Sequence, residues 1–411
     1  MTEPTPHAGD TLATLDDLDV AGQRVLLRVD LNVPLDIGPA GAPPRVADDT
    51  RICAALTTIQ ELRRRDARLV LISHLGRPAG RDPQLSMRPV AERLAELTGA
   101  PVKLAPAVVG AEVRALTEEL KPGEMLMLEN VRYEPGEKRN DPDFVSALAE
   151  LADVYVNDAF GTAHRAHAST EGIAHRLPSA AGRLMESEVR ILHSIIDDPQ
   201  PPLVAILGGA KVSDKIGVVA HFLEIADVVC IGGAMAFPFL AVQGHPVGAS
   251  VCADSDLEPA RHAIAMAADS DCRLELPEDL LLAEGLEASA RLRGLDGVNV
   301  PDGWIGLDIG PRTAQRYAHE LARARTAFWN GPMGRFELEP FSTGTRTVAE
   351  ALAASPATTV VGGGETVAAL RHFGLQDRVT HVSTGGGATL ELLEGRELPG
   401  VQALLRATAV R

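Results

Sequence analysis

The chain has 411 residues, which at about 100 to 200 residues per domain predicts two or three domains. Hydrophobic residues make up 45% and charged residues 23%, values that argue against wholesale disorder, a collagen-like repeat and a coiled coil. Asp and Glu outnumber Lys and Arg by 56 to 39, and a net charge of -17 argues against a nucleic-acid or anionic-membrane binder.

The cysteines and the chain start carry no signal for metal binding, disulfides or export. Neither a CxxC pair nor a Cys/His ligand spacing occurs, so we expect no zinc site, no disulfide framework and a reducing, cytoplasmic location. No apolar run approaches 18 residues, and no basic segment leads into an apolar one at the start, so we expect no membrane span and no secretion signal. Residues 1–12 are predicted to be a loose tail.

From Arg24 onward, a short apolar strand, a polar or Gly-rich turn and a helical stretch alternate, which is typical of an α/β fold with parallel sheet. The pattern contains at least eleven predicted strands, which is more than one open sheet usually carries, so two sheets in two domains are predicted. The predicted strands are Val25–Val29, Leu69–Ile72, Met125–Leu128, Val154–Val156, Leu203–Leu207, Val228–Ile231, Arg273–Leu276, Ile305–Leu307, Ala327–Trp329, Thr359–Val361 and Thr380–Val382.

The domain boundary is predicted where an amphipathic helix, Arg183–Ile196, runs into the proline-rich stretch that ends at Pro202. Residues 13–182 then form the first domain, 183–202 a connecting helix and linker, and 203–395 the second domain. The composition is compatible with a monomer.

In the first domain, polar residues follow each predicted strand, and ligands of parallel sheets bind at these carboxyl ends. A single Arg there is usually a surface or capping residue. Several at equivalent strand ends, with Arg51 opening the next helix, predict a positive patch for a small anion carrying phosphate or carboxylate. The residues in question are Arg51, Arg77, Arg132 and Arg165, with His74, His164 and His167 as further donors.

In the second domain, Gly-rich turns follow the strands and lead into helices. Such turns let a phosphate approach backbone N–H groups at a helix N-terminus. One such turn is commonly a tight connection, but the four at 208–209, 232–233, 362–364 and 385–387 together predict a polyphosphate site. Neither GxxxxGK[ST] nor a GxGxxG turn after a strand occurs, which disfavours P-loop and Rossmann dinucleotide proteins.

Five of the 39 cationic residues are Lys, and two of these, Lys211 and Lys215, lie one helical turn apart at a predicted helix start. Both ammonium groups can therefore face one ligand.

These segments resemble the phosphoglycerate kinase family, in order and over nearly the whole chain. The matching segments are RVDLNVP at 28–34, SHLGRP at 73–78, LENVRY at 128–133, NDAFGTAHRAHAS at 157–169, LGGAKVSDKI at 207–216, GGAMAF at 232–237, LDIGP at 307–311, WNGPMG at 329–334 and STGGGATLELLEG at 383–395.

The resemblance implies two doubly wound, Rossmann-like domains joined by a connecting helix, with a cleft between them. It implies a glycolytic enzyme that moves a phosphoryl group between 1,3-bisphosphoglycerate and Mg-ADP, giving 3-phosphoglycerate and ATP. The resemblance implies that residues 396–411 return to the first domain and that this domain binds phosphoglycerate. The residues it implies for that role are Asp30, Leu31, Asn32, Arg51, His74, Leu75, Gly76, Arg77, Arg132 and Arg165. Nucleotide and Mg²⁺ would be held by Lys215, Gly306, Asn330, Glu337, Gly363, Gly364, Glu365 and Thr366, with Glu365 on the metal.

Both nucleophiles of this reaction, a phosphate oxygen and a carboxylate, are ionised at pH 7, so no general base is needed. In-line positioning and cancellation of charge are needed instead, together with closure across the connecting helix. Arg51, Lys211, Lys215, Mg²⁺ and the backbone N–H groups of Gly386 and Gly387 are the expected charge-stabilising groups.

Three departures from the family pattern stand out. Glu365 occupies a position where the family usually has Asp, Arg335 stands where it has an apolar residue, and residues 38–44 are expected to form a longer surface loop. Two other interpretations stay open at this point: a non-catalytic nucleotide-binding homologue with a regulatory or interaction role, and an acyl-phosphate kinase for a different carboxylate.

Overall fold

The computed structural model describes residues 11–38, 44–287 and 290–406. The chain divides into two compact units, one formed by residues up to Arg190 and from Glu397 onward, the other by Ile191–Arg396. The first ten residues of the expected tail and residues 39–43 of the expected surface loop lie outside the described residues.

The first unit is built on a six-stranded parallel sheet in the order β6-β7-β5-β2-β8-β9. Its strands are β1 (Thr11–Leu12), β2 (Arg24–Arg28), β3 (Leu35–Asp36), β4 (Arg45–Val46), β5 (Arg68–Ile72), β6 (Val102–Leu104), β7 (Met125–Met127), β8 (Val154–Asn157) and β9 (Ser179–Ala181). Its helices are α1 (Thr50–Arg64), α2 (Arg88–Thr98), α3 (Ala111–Glu118), α4 (Pro135–Arg139) and α5 (Pro142–Ala149), and α6 (Arg183–Ile196) starts in this unit. The central strands are apolar and buried because helices cover parallel sheets on both faces.

The second unit carries another six-stranded parallel sheet, in the order β12-β11-β10-β16-β17-β18, and a three-stranded antiparallel sheet, β14-β13-β15. Its strands are β10 (Leu203–Leu207), β11 (Val228–Ile231), β12 (Arg273–Glu275), β13 (Leu280–Ala283), β14 (Leu292–Leu295), β15 (Ile305–Ile309), β16 (Thr326–Asn330), β17 (Thr358–Gly362) and β18 (His381–Val382). Its helices are α7 (Ile216–Ile225), α8 (Ala236–Val242), α9 (Asp254–Ala268), α10 (Pro311–Arg323), α11 (Thr343–Ala354), α12 (Gly364–His372) and α13 (Gly387–Leu393).

After the second unit, the chain contributes α14 (Pro399–Gln402) and β19 (Leu405–Arg406) to the first unit. β19 pairs antiparallel with β1, which places Leu405 opposite Leu12. The Gly400 N–H donates to the Ala163 carbonyl at 2.8 Å, so this segment packs on the turn that follows β8. Thr11 and Leu12, expected in the loose tail, therefore form a strand.

A further difference from expectation concerns the strand predicted at 305–307. It belongs to the small antiparallel sheet, where β15 pairs with β13 with a register shift between Leu281 and Leu282. An apolar run that leads into a Gly-containing turn has the same pattern in either sheet, so its spacing could not distinguish the two.

A buried carboxylate connects the end of β8 to the start of α6. Asp158 is fully buried, and its Oδ1 accepts the backbone N–H groups of Leu184 at 2.9 Å and Met185 at 3.2 Å. These are N–H groups of the first helical turn that lack partners within the helix. Burial raises the pKa of Asp158 to about 7, although the two hydrogen bonds act in the opposite direction.

We therefore expect Asp158 to make the stability of the protein fall as pH rises. In the unfolded chain this carboxyl ionises near its ordinary pKa of 3.8, whereas the native state keeps the proton until about pH 7. Between these values the native state binds more protons, so the free energy of unfolding falls with rising pH. The variant Asp158→Asn keeps the acceptor oxygen and should gain about 2 kcal/mol over wild type from pH 5 to pH 8.

Urea unfolding at several pH values measures this difference. The variant Asp143→Asn, an exposed carboxylate in the first turn of α5, is the matched control and should keep the wild-type pH dependence. Parallel curves for wild type and Asp158→Asn would contradict the assignment.

Candidate functional site

In the first unit, hydrogen bonds and an ion pair tie together the segments that follow the central strands. Arg51, in the first turn of α1, forms an ion pair with Asp30 after β2. The Gly76 N–H after β5 donates to Asn32 Oδ1 at 2.8 Å, and the Arg132 guanidinium donates to the Gly76 carbonyl. Residues far apart in the sequence are thus held at one edge of the sheet.

Asn130 fixes the turn after β5 from the segment after β7. It is fully buried, its Oδ1 accepts the N–H groups of Leu75 at 3.2 Å and Arg132 at 3.1 Å, and its Nδ2 donates to the Leu75 carbonyl at 2.7 Å. The Leu31 N–H, in turn, donates to Ser73 Oγ at 2.9 Å. Leu31 and Leu75 are buried and contribute backbone placement at this edge.

Arg28 is a buried cation at this edge that the sequence pattern did not single out. It ends β2 and is only 1% exposed, although it is a cation. Its Nε donates to Ser169 Oγ at 3.0 Å, its Nη1 donates to the Val29 carbonyl, and its Nη2 lies 3.3 Å from His74 Nδ1. The available signal was an Arg inside an otherwise apolar strand.

The Arg28 contact assigns the tautomer of His74. A guanidinium can only donate, so His74 Nδ1 must accept and the ring proton sits on Nε2, as a donor. Burial, and after it the charges of Arg28, Arg132, Arg165 and Arg51, hold the pKa of His74 well below its usual value. The ring is therefore neutral at physiological pH.

A buried carboxylate, Glu137 of α4, balances part of this positive charge. Its two oxygens accept from Ser169 Oγ at 2.7 Å and from the Ser169 N–H at 3.0 Å. Burial raises the pKa of Glu137, whereas the Arg28 charge and the Ser169 hydrogen bonds act to lower it. His167 Nδ1 lies 3.7 Å from Glu137 Oε1, and burial together with the charge of Arg165 lowers the pKa of His167 to about 4.

The remaining guanidinium groups repel one another. Burial, followed by the charges of Arg165, Arg28 and Arg77, lowers the pKa of Arg132 to about 10. Such a shift in an Arg reports several like charges at close range with little water between them. The charges of Arg77 and Arg165 thus act on Arg132, those of Arg51 and Arg165 act on His74, and the structure adds Arg28 to the Arg residues of the predicted patch. This edge of the sheet suits a small polyanion.

In the second unit, Lys215 precedes α7 and is inserted between two strand ends. Its Nζ donates to the carbonyls of Gly208 at 2.6 Å and Asn330 at 3.2 Å. Burial lowers the pKa of Lys215 to about 8, although the charges of Glu365 and Asp214 act to raise it. An ammonium has three protons, so one remains for a ligand.

A cavity of about 290 Å³ lies beside this ammonium. Gly363, with φ of +89°, precedes α12, and Gly386 precedes α13, so two helix N-termini face this cavity. Its lining also includes Asn330, Gly364, Glu365 and Thr366. Backbone N–H groups at helix starts and one ammonium make the cavity suitable for phosphate.

Asn330 adds an unsatisfied donor to this cavity. The residue is 2% exposed, and its Nδ2 has no hydrogen-bond partner within the described part of the chain. A Cβ atom on Gly363 would lie 2.8 Å from this Nδ2, so the amide points at the Gly-rich turn. A buried amide without a partner costs free energy that an acceptor on a ligand would recover.

A second cavity, of about 310 Å³, is largely apolar and shares Glu365 with the first. Gly306 of β15, Phe237 of α8 and Met333 contribute to its walls, and Glu337 lies in its lining. A flat apolar cavity adjoining a phosphate site matches the shape and polarity of a nucleoside.

Two expected residues stand apart from these cavities. Lys211 is exposed and lines neither of the two. Gly387 opens α13 directly after Gly386, and the first helical N–H groups there have no partner within the helix. Their catalytic roles stay predictions.

The sequence model of the family described as phosphoglycerate kinase matches residues 15–396. A phosphoglycerate kinase of Rubrobacter xylanophilus is 54% identical over 389 residues, covering 94% of this chain and 97% of that protein. One of Desulforudis audaxviator is 52% identical, covering 95% and 98%. The solved structure of phosphoglycerate kinase from Coxiella burnetii superposes with a TM-score of 0.88 at 39% identity, covering 96% of this chain and 99% of that one.

The chain belongs to the phosphoglycerate kinase family. This membership confirms the resemblance and the α/β fold with two parallel sheets. It also favours the catalytic interpretation over a non-catalytic homologue, because relatives of this family at about half identity bear the enzyme's name over nearly their full length. Among the described residues, no helix is long and apolar enough to cross a membrane.

The described part of the chain contains no cluster of three or more His, Cys, Asp or Glu side chains able to hold a metal ion. Glu365 is the carboxylate that lines the phosphate cavity. This sparse set suits Mg²⁺, which usually keeps several waters and is bound by one or two carboxylates together with substrate phosphates.

The apolar cavity of this family member should depend on Gly306 having no side chain. A Cβ atom there would lie against the Phe237 ring, well inside van der Waals contact, and Phe237 is buried among Leu280 and Leu282. We expect Gly306→Ala to cost about 1–3 kcal/mol in the free energy of unfolding, as overpacked cores do. Gly294→Ala, in β14 of the same sheet with open space at its Cβ position, should cost much less.

Urea unfolding of both variants measures this contrast. Equal losses of stability for the two would show that the Phe237 contact is not limiting.

Proposed function

We propose that the enzyme transfers a phosphoryl group between 1,3-bisphosphoglycerate and ADP, giving 3-phosphoglycerate and ATP, with each substrate held by one unit. The observation that carries this assignment is the cluster of guanidinium groups in the first unit, where Arg28, Arg51, Arg132 and Arg165 act on the neutral His74 and Arg77 acts on Arg132. An acyl phosphate that also bears a second phosphate presents several anionic oxygens, and Arg forks match such groups bidentately.

In the first unit, the Arg cluster binds the charged groups of the glycerate. His74 donates from Nε2 to a substrate oxygen, because its Nδ1 is occupied by Arg28. Asp30 and Asn32 act as acceptors or orient neighbours: Asp30 holds Arg51, and Asn32 holds the Gly76 turn. Arg51 lies at a helix start and is 41% exposed, so it can reach the transferring phosphoryl.

In the second unit, the apolar cavity takes the adenosine and the adjoining cavity takes the phosphates. Glu337 lines the first of these and accepts ribose hydroxyls. Asn330 Nδ2, Lys215 Nζ and the N–H groups of the Gly363–Thr366 turn donate to phosphate oxygens. Gly386 brings the start of α13 to the same cavity.

The chemistry that follows is charge stabilisation. The attacking oxygen is already ionised, so these residues position the reactants in line and neutralise the negative charge of the transferring group. Lys215 suits this role because its ammonium lies beside the phosphate cavity, where an approaching phosphate would raise its pKa above the value of about 8 that burial gives it. Glu365 would hold Mg²⁺, whose charge when bound would offset part of the negative charge of the phosphates.

Lys215→Ala and Arg51→Ala are each expected to lower kcat by about 10²-fold or more, because each removes a group that stabilises charge in the transition state. The measurement is a coupled assay of ATP formation from 1,3-bisphosphoglycerate. Lys121→Ala, an exposed lysine of the first unit, is the control and should retain wild-type turnover. Near-normal turnover of either site variant would remove that residue from the mechanism.

The same assay tests the function itself. Wild-type protein that binds ADP yet forms no ATP would support the non-catalytic interpretation. Faster turnover with another carboxylate than with 3-phosphoglycerate, in the reverse direction, would identify a different acyl-phosphate kinase.

For the metal, Glu365→Gln is expected to raise the Mg²⁺ concentration needed for half-maximal activity about tenfold, a typical loss when metal support is weakened. Glu337→Gln keeps this carboxylate and should raise the KM for ADP while leaving the metal requirement unchanged. Titrations with Mg²⁺ and with Mn²⁺, at saturating nucleotide, measure both. A metal requirement unchanged in Glu365→Gln would exclude Glu365 as a ligand.

The cytoplasmic location, the monomeric state and the absence of nucleic-acid partners stay predictions from composition. Sedimentation of the purified protein tests the second of them.

A further inference from the structure

Arg335 is the lining residue of the apolar cavity to which the proposed function gives no role. It follows the WNGPMG segment, and its backbone N–H donates to the Leu307 carbonyl at 2.9 Å. Leu307 follows Gly306 in β15, so this bond fixes Arg335 beside the wall of the cavity that Gly306 forms. The residue is exposed to solvent.

Arg335 is the cation of this cavity. The other charged residues in the lining are Asp308, Glu337 and Glu365, and Asp308 is occupied by the N–H groups of Gly344 and Ile309. Within the described part of the chain, the Arg335 guanidinium forms no ion pair with any carboxylate. A ligand can therefore engage it without breaking an existing contact.

The surroundings of Arg335 favour a flat, apolar ligand surface over a phosphate. Val251 and Leu286 line the same cavity and are 59% and 50% exposed, so a ligand in this cavity can cover apolar surface of both side chains. Arg335 is absent from the lining of the phosphate cavity, where Lys215 and the Gly363 turn supply the donors.

We propose that Arg335 is a further nucleotide-binding residue, whose guanidinium plane stacks on the purine base bound in the apolar cavity. The guanidinium is planar and more weakly hydrated than an ammonium, and it stacks on aromatic faces. The inference rests on the proposed function, since that function places the base in this cavity.

Stacking and charge pairing make different predictions. A stacked guanidinium contacts the ring, so its contribution to affinity is the same for a nucleoside and for its phosphates. It is also tolerant of base identity, because every purine presents a π-face. A guanidinium that pairs with phosphate contributes nothing to nucleoside binding, and one that reads the base edge favours guanine through O6 and N7.

The test is calorimetric binding of adenosine, ADP and GDP to wild type, Arg335→Ala and the control Arg323→Ala, an exposed Arg at the end of α10. Arg335→Ala is expected to weaken all three ligands by the same factor, about two- to five-fold, which is the usual worth of an exposed cation–π contact. The control should match wild type. The unfolding midpoint of each variant confirms that it is folded.

Other outcomes overturn the proposal. A loss for ADP and GDP but not for adenosine would assign Arg335 to phosphate, a loss for GDP alone would assign it to the base edge, and no loss would leave it without a role. In those three cases the wild type still binds ADP. Failure of wild type to bind both ADP and adenosine would instead refute the nucleotide site itself.

Discussion

The first unit's site depends on the burial of one charge, that of Arg28. A guanidinium does not lose its proton in a protein, so its burial inside a sheet is costly unless its N–H groups meet acceptors. Ser169 Oγ, the Val29 carbonyl and His74 Nδ1 provide them, and Glu137 supplies the opposite charge through Ser169. Breaking this set would leave a buried charge without compensation, which is among the most costly changes in a protein interior.

The Arg28 set explains the character of the surrounding site. It fixes the ring of His74 as a neutral donor, and its charge adds to those that lower the pKa of Arg132. Such a group of like charges, in which burial and the neighbouring Arg residues lower the pKa of Arg132, is less stable alone than with an anion among them. The net charge of -17 does not reveal this repulsion, because the net charge is a sum over the whole sequence whereas the repulsion acts between neighbouring Arg residues.

The sequence predicted strands correctly where apolar runs were continuous, and it did not predict strands that were short. Leu203–Leu207 and Val228–Ile231 were predicted to the residue because buried parallel strands read as unbroken apolar runs. Val102–Leu104 and Ser179–Ala181 were missed, since edge strands of three residues with Lys103 or Ser179 in them give no such signal. The site residues were found for a different reason: Arg51, His74, Arg77 and Arg132 follow strands or open helices, positions where a polar side chain is conspicuous. Arg28 was missed because it lies within a strand, and Asn130 because its role is to hold two turns in place. Hydrogen bonds between segments far apart in the chain leave no spacing to recognise, so such positioning residues emerge only from coordinates.

In the second unit, backbone groups largely shape the candidate site, whereas side chains do so in the first unit. Gly331 has φ of +101°, and a Cβ atom there would lie 2.7 Å from Lys215 Nζ and still closer to the Gly208 carbonyl. The space that a side chain would occupy is therefore the space in which the ammonium meets its two carbonyl acceptors. These carbonyls accept two of the three ammonium protons, and the third is available to a ligand in the cavity that the helix N-termini face. A positively charged phosphate site thus arises with a single lysine in its lining, within a chain whose net charge is strongly negative.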